Sequence, residues 1–282
     1  PLLLSMLCLA FDETDVFPER RVDAYREALD ALLKRWDAKR DVGRDTAYRR
    51  LSPDCRLQML AHIAAKTFPA RKVLFGKKEL KGHIVAYLRK LFPASARDQE
   101  IDGEAELRAI KAQHGILVER GQGIYAFSHL TFQEYLVARY IADHAVRARR
   151  RFRQNGHGAG EAKDVGWIEG LIDQYLTDDR WREVFLMTAS MLDDADLFFE
   201  QFSLALERMA GEEDVINDLV IWAKEQAERA RNKGIRPSEM RSQCLCYALV
   251  LARALTRDRN LARDRDLVRD HARELARQLD RT

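Results

Sequence analysis

The sequence predicts a mainly α protein with a helical subdomain, a winged-helix module containing one short β-hairpin, and an α-helical C-terminal domain. Three observations predict this class. Apolar residues recur at helical spacing along almost the whole chain of 282 residues. Gly and Pro are scarce, at 14 and 6, which argues against a barrel or a sandwich. Strand-like patterning occurs in one place, between residues 116 and 127.

The first half of the chain contains four predicted helices before the hairpin. The first begins near residue 19, and the second has Ser52 and Pro53 at its N-cap and first position. The third stops before Pro93, and the fourth runs from about Glu104 to Gln113, with Gly115 as its left-handed C-terminal residue. The apolar faces of the first three helices are Tyr25, Leu29, Leu32, Leu33 and Trp36; Leu57, Leu60, Ile63 and Ala64; and Leu80, Ile84, Leu88 and Leu91.

The hairpin and the helix after it complete a winged-helix pattern. Residues 116–118 and 124–127 read as strands, and residues 119–123 read as the turn between them. A helix follows at once, with Thr131 as the predicted N-cap and Glu134 as its partner in a capping box. The order of two helices, hairpin and helix is typical of a winged helix.

These elements divide the chain into four predicted segments. They are a helical subdomain (1–50), the winged-helix domain (51–146), a linker (147–163) and a helical C-terminal domain for sensing or interaction (164–282). The linker carries an arginine cluster, interpreted as a solvated helix end, and a Gly-rich stretch. The C-terminal domain has helical stripes at Trp181, Val184, Phe185 and Thr188, at Leu197, Phe198, Phe202 and Leu206, and further stripes beyond residue 210.

Composition excludes several classes of protein. Lys and Arg number 48 against 45 Asp and Glu, so the formal net charge is only +3. Such balance indicates a solvated helical surface and not a strongly basic nucleic-acid-binding protein. The apolar start is too short to cross a membrane, which needs roughly 20 apolar residues, and it lacks the basic leader of a signal peptide. We therefore expect a cytoplasmic protein with buried free thiols at Cys8, Cys55, Cys244 and Cys246.

No catalytic or metal-binding signature is present in the sequence. It has no P-loop, no nucleophile elbow, no zinc-protease motif and no kinase signature. The carboxylates follow helical surface patterns with Lys or Arg partners, so none stands out as a general acid or base. Neither catalytic residues nor metal ligands are assigned, and the chain is expected to be inactive alone.

The segment after Gly115 carries a specific block of residues. It includes Phe127, Ser128, His129, Phe132, Gln133, Glu134, Tyr135 and Ala138. This block resembles the winged-helix segment of NACHT-domain STAND NTPases, where the same residues follow the wing hairpin. The apolar start of the chain resembles a helix of that family's small helical subdomain. Residues 176–185 resemble the helical C-terminal region of bacterial NACHT proteins. The resemblance implies that residues 1–50 are the trailing part of the NTPase.

The resemblance also implies a nucleotide contact. In that family the histidine at the place of His129 reaches the β-phosphate of ADP, and a proline at the place of Pro1 packs against the adenine. ATP or ADP would then lie in a site completed by an NTPase core. The physics of His129 agrees, because an anion is favoured at a helix N-terminus and an imidazole adds a donor. A local hydrogen bond for His129, and a simple helix start for Pro1, are the alternatives.

Two functions follow from these observations. The first is the regulatory and sensing portion of a NACHT-type ATPase, which the resemblance places in anti-phage defence, a form of innate immunity. It implies an N-terminal NTPase core and effector domain, homo-oligomerisation on activation, and an unknown activating ligand. The alternative is a winged-helix nucleic-acid-binding protein with a helical dimerisation domain. The helix before the hairpin balances acids against bases, so we expect neither nucleic acid nor membrane as a partner.

Overall fold

A computed structural model describes residues 2–18, 20–38, 51–92, 101–155, 159–192 and 196–210. The chain divides into two compact units, Pro1–Tyr140 and Ile141–Thr282. The described elements are α1 (Leu2–Thr14), α2 (Arg21–Ala38), α3 (Pro53–Thr67), β1 (Phe75–Gly76), α4 (Lys77–Leu91), α5 (Gly103–His114), β2 (Leu117–Gly121), β3 (Ile124–Phe127), α6 (Leu130–Asn155), α7 (Ala159–Tyr175), α8 (Trp181–Met191) and α9 (Asp196–Ala210). The predicted mainly α class is confirmed.

The N-cap of α3 and the C-cap of α5 are where the sequence predicts them, whereas the N-cap of α5, Asp102, was not predicted. The hydroxyl of Ser52 accepts a hydrogen bond from the amide of Cys55 over 3.3 Å, and Pro53 follows in the first helical turn. The carboxylate of Asp102 accepts one from the amide of Glu104 over 2.8 Å. Helix α5 ends at Gly115, whose φ of 60° lies in the left-handed region that glycine adopts without steric cost. These helix boundaries are therefore set by local chemistry.

The sheet has three antiparallel strands in the order β1-β3-β2. Strand β3 is central, with Phe75 of β1 opposite Tyr125 and Leu117 of β2 opposite Phe127. The succession α3, β1, α4, α5, β2, β3 is that of a winged helix, which confirms the predicted module. Strand β1 was not predicted, because two residues are too few to show the alternation by which a strand is recognised.

Helices α4 and α5 cross closely at Gly103, which is buried. A Cβ atom at this position would lie 2.9 Å from Cγ2 of Val85. We expect Gly103→Ala to lower the free energy of unfolding by about 1–3 kcal/mol, because the β-branched Val85 is stiff and the pair would be overpacked. Denaturation in urea measures the change.

The matched control for that substitution is Gly82→Ala in α4. No atom lies within 4 Å of a Cβ built on Gly82. This substitution is expected to raise the free energy of unfolding by about 0.5–1 kcal/mol, since glycine inside a helix loses more backbone entropy than alanine. A Gly103→Ala variant as stable as Gly82→Ala would contradict the close crossing.

Helix α1 packs against α2 and presents part of its surface outward. Met6 is buried, whereas Leu4, Cys8 and Phe11 are exposed. The prediction of a buried thiol is therefore wrong for Cys8, which lies about 200° around the helix from Met6 and so faces away from α2. Cys55 is half-buried, and Cys244 and Cys246 lie outside the described residues. No helix in the described ranges has the length and hydrophobicity needed to span a bilayer.

The second unit is organised around an aromatic cluster. As predicted, one face of α8 is buried at Trp181, Val184, Phe185 and Thr188. Phe198 and Phe202 of α9 are also buried, and the side chains of Leu197 and Leu206 lie outside the description. Arg208 of α9 is paired with Asp173 of α7 at 2.7 Å. The stripes predicted beyond residue 210 lie outside the described residues as well.

The segment 147–163, predicted to be a linker, is largely helical. Helix α6 continues to Asn155 and α7 begins at Ala159, so only residues 156–158 fall between them, and these lie outside the described residues. Arginine is a good helix former, so a run of arginines can extend a helix as readily as end one. The domain boundaries at residues 50, 146 and 163 stay predictions.

Candidate functional site

Helix α6 starts two residues earlier than predicted. The helix begins at Leu130, and the amide of Phe132 donates to the carbonyl of His129 over 3.1 Å. Thr131 therefore lies inside the first turn, where its hydroxyl cannot act as the N-cap. That hydroxyl oxygen is buried and has no hydrogen-bond partner within the described part of the chain. The predicted capping box of Thr131 and Glu134 is wrong.

His129 is exposed at this helix start, whereas most of the surrounding block is buried. Its ring packs edge-to-face against Phe132, with the centroids 5.8 Å apart and the planes at 67°. Ser128 is half-buried. The other members of the block are all buried: Phe127, Phe132, Gln133, Glu134, Tyr135 and Ala138. The prediction that Phe127, Phe132 and Tyr135 belong to the core is confirmed, and His129 is the member of the block that faces outward.

The chemistry at this helix start suits an anion. Helix α6 has 26 residues, and the first amides of any helix lack intrahelical acceptors. Their partial positive charge and that of the helix dipole favour a negatively charged group. The imidazole of His129 adds a directed donor, and a hydrogen bond from a donor to an ionised oxygen is among the stronger kinds. The groups present therefore fit a phosphate.

A buried glutamine anchors the first turn of α6 to the rest of the first unit. The Gln133 side-chain amide donates to the hydroxyl of Thr67 over 3.0 Å and to the carbonyl of Lys72 over 3.2 Å. The Thr67 hydroxyl in turn donates to the carbonyl of Ile63 over 2.9 Å. These bonds fix the helix start to the end of α3 and to the loop before β1. Sequence reasoning gave Gln133 no role, although a glutamine inside an apolar helical stripe is a signal for a buried polar contact.

The second and third turns of α6 are held by Tyr135 and Arg139. The ring of Tyr135 stacks on Tyr25 of α2 with centroids 5.5 Å apart, and the guanidinium of Arg139 is paired with the carboxylate of Asp54 at 2.8 Å. Burial raises the pKa of the Tyr135 hydroxyl to about 12, although the neighbouring charge of Arg139 acts in the opposite direction. Helix α6 is therefore fixed to α2 and to the start of α3 along the turns that follow His129.

A wing arginine contacts the backbone next to His129. Nη2 of Arg120 donates to the carbonyl of Ser128 over 2.9 Å. The residue was predicted to lie in a turn, but β2 extends to Gly121, and the register shifts between Glu119 and Gly121 as in a β-bulge. Sequence reasoning missed this contact, because a bulge leaves no periodic signal.

In nucleic-acid-binding winged helices, the helix before the hairpin reads the DNA, and it corresponds here to α5. The lysines around α5 form ion pairs with glutamates. The carboxylate of Glu104 is within 2.5 Å of Lys77 and 3.2 Å of Lys81, and Glu119 binds Lys111. Hydrogen bonds from these lysines lower the pKa of Glu104 and of Glu119, so both stay charged near neutral pH. The paired lysines give no support to the nucleic-acid alternative.

Of the two predicted site residues, only His129 is placed. Pro1 lies outside the described residues. The arginine cluster of 147–153 begins at the exposed Arg147, and the side chains that follow it also lie outside the description. In the described ranges no group of three His, Cys, Asp or Glu side chains could hold a metal ion.

The comparison with known families identifies the domain that contains His129. Residues 21–141 match the family described as the winged helix-turn-helix domain C-terminal to NACHT. The match takes in α2, so it extends N-terminal of residue 51, where we placed the start of the winged helix. No curated protein and no solved structure matches the chain. Residues 21–141, somewhat less than half of the chain, therefore match the winged helix-turn-helix domains that lie C-terminal to NACHT, and this match supports the C-terminal part of a NACHT protein as the source of the chain.

Proposed function

We propose that this chain is the regulatory and sensing portion of a NACHT-type signalling NTPase in which His129 contacts the phosphate of bound ADP or ATP. The observation that carries the proposal is the exposure of His129 at the start of α6, while the block around it is built into the core. The NTPase core of the parent protein supplies the rest of the nucleotide site, and Pro1 packs against the adenine.

In this proposal the histidine contact favours the closed, ADP-bound state. Nucleotide exchange releases it, and the protein then forms a homo-oligomer that activates an effector domain. The helical C-terminal region senses the activating ligand, and the setting is cytoplasmic anti-phage defence. The chain itself lacks a P-loop, so hydrolysis belongs to the NTPase core.

The free energy of one hydrogen bond limits how far His129 alone can favour the closed state. A hydrogen bond to a charged group contributes roughly 1.5–3 kcal/mol. Shifting a two-state protein from 1:99 to 99:1 takes about 5.5 kcal/mol of differential binding. His129 therefore supplies part of the preference for the closed state, and contacts between the winged helix and the NTPase core supply the remainder.

The test is His129→Ala in the parent protein with its NACHT module present. Removing a hydrogen bond of that strength is expected to speed ADP release by about 10- to 150-fold, because the phosphate loses a charge-assisted donor. Displacement of a fluorescent ADP analogue by excess ATP gives the rate, and light scattering gives the oligomeric state.

The control variant is Gln122→Ala, which removes an exposed polar side chain from the turn of the same domain. It is expected to release ADP at the wild-type rate. If His129→Ala retains ADP as long as the control and stays in the same oligomeric state, the proposed phosphate contact is wrong.

A further inference from the structure

Arg120 is attached to the peptide unit that carries His129. Its guanidinium donates to the carbonyl oxygen of Ser128 over 2.9 Å. That carbonyl and the amide nitrogen of His129 belong to the same planar peptide group, so fixing one fixes the orientation of the other. The amide of Ser128 donates to the carbonyl of Ile116 over 2.8 Å. The amide of Ser128 is therefore held by backbone pairing with Ile116, and its carbonyl is held by Arg120.

The bulge in the wing directs the arginine side chain. Glu119 is opposite Tyr125 and Gly121 is opposite Ile124, which leaves Arg120 as the extra residue between them. A bulge bends its strand and re-aims the side chain of the extra residue. The wing on either side of the bulge is itself fixed, because the carboxylate of Glu119 accepts a hydrogen bond from the amide of Gly123 over 3.0 Å.

We propose that Arg120 is a positioning residue for His129, which makes the nucleotide contact depend on the shape of the wing. This inference rests on the proposed function of His129. The arginine acts by holding the Ser128–His129 peptide in the orientation that presents the imidazole at the start of α6. A bend of the wing at Arg120 would release that peptide and loosen the histidine without any change at the nucleotide itself.

A double-mutant cycle in the parent protein tests the inference. Arg120→Ala is expected to speed ADP release about fivefold, the effect of losing one exposed hydrogen bond. In the His129→Ala background the same substitution is expected to have no further effect, because the group that Arg120 positions is gone. Arg120→Lys, which keeps a cationic donor, is expected to release ADP within about twofold of the wild-type rate.

Arg108→Ala is the matched control, since Arg108 is an exposed arginine of α5 in the same domain. It is expected to leave ADP release unchanged in both backgrounds. Thermal unfolding checks that Arg120→Ala is folded, and if it is not, Arg120→Gln takes its place in the cycle.

Each remaining outcome overturns a different statement. If the effects of Arg120→Ala and His129→Ala simply add, Arg120 attracts the anion directly and is not a positioning residue. If Arg120→Ala has no effect while His129→Ala does, the inference is wrong and the proposed function stands. If His129→Ala has no effect, the proposed function itself is wrong.

Discussion

Phe185→Ala is expected to lower the free energy of unfolding of the second unit by about 3–5 kcal/mol. The ring is fully buried, and its centroid lies 5.0 Å from that of Phe202, 5.6 Å from Trp181 and 6.3 Å from Phe198. The cavity left by its removal cannot collapse easily, because Trp181 is also stacked on Tyr175 at 4.1 Å. The cost therefore includes lost burial and an unfilled cavity.

Urea unfolding followed by tryptophan fluorescence measures this loss, because Trp181 reports on the cluster directly. Because the chain contains two compact units, the unfolding transition of each unit is fitted separately. Phe199→Ala is the matched control, since Phe199 of α9 is a ring of the same unit, next to Phe198 in the sequence, that is only half-buried. A loss at Phe185 no greater than the loss at Phe199 would show that the cluster is not the core of this unit.

Between about pH 10 and pH 12, Tyr135 alone is expected to lower the free energy of unfolding by about 3 kcal/mol. Burial raises the pKa of its hydroxyl to about 12, against about 10 in the unfolded chain. In this window the unfolded tyrosine has lost its proton while the native one keeps it. The native state then binds more protons, so stability falls as the pH rises. Below about pH 10 the Tyr135 hydroxyl is neutral in both the folded and the unfolded state, so its contribution to the free energy of unfolding is constant.

Comparison of the wild-type protein with Tyr135→Phe isolates this contribution from that of the other tyrosines. The variant keeps the ring that stacks on Tyr25 but has no ionisable hydroxyl. Urea unfolding at several pH values is expected to give a shallower alkaline decline for the variant, by up to about 1.4 kcal/mol per pH unit. Equal slopes for the two proteins would mean that Tyr135 ionises in the folded and unfolded states alike.

The elements that the sequence predicts are those with local signals. Helix α3 has a serine and a proline at its start, and α5 ends on a left-handed Gly115, so their boundaries follow from single residues. Strand β1 is too short to have a period, and it exists because Phe75 pairs with Tyr125 fifty residues later in the chain. The prediction of Thr131 as the N-cap was wrong for a related reason, since backbone hydrogen bonding at His129 starts the helix two residues earlier.

The site was predictable only in part. His129 stands in a recognisable block before a helix, and its exposure agrees with a functional role. The contacts that hold it were not predictable, because Gln133 and Thr67, or Arg120 and Ser128, meet only after the chain has folded. Local propensity and period carry no information on such pairs, which are set by the packing of whole elements.

The two glutamates that neutralise the lysines around α5 also determine the net charge of that surface. Glu104 and Glu119 hold three lysines between them: Lys77, Lys81 and Lys111. Replacing both carboxylates by amides would leave three uncompensated ammonium groups around the helix that reads base pairs in DNA-binding winged helices. Two point substitutions would thus turn this ion-paired surface into one that attracts polyanions.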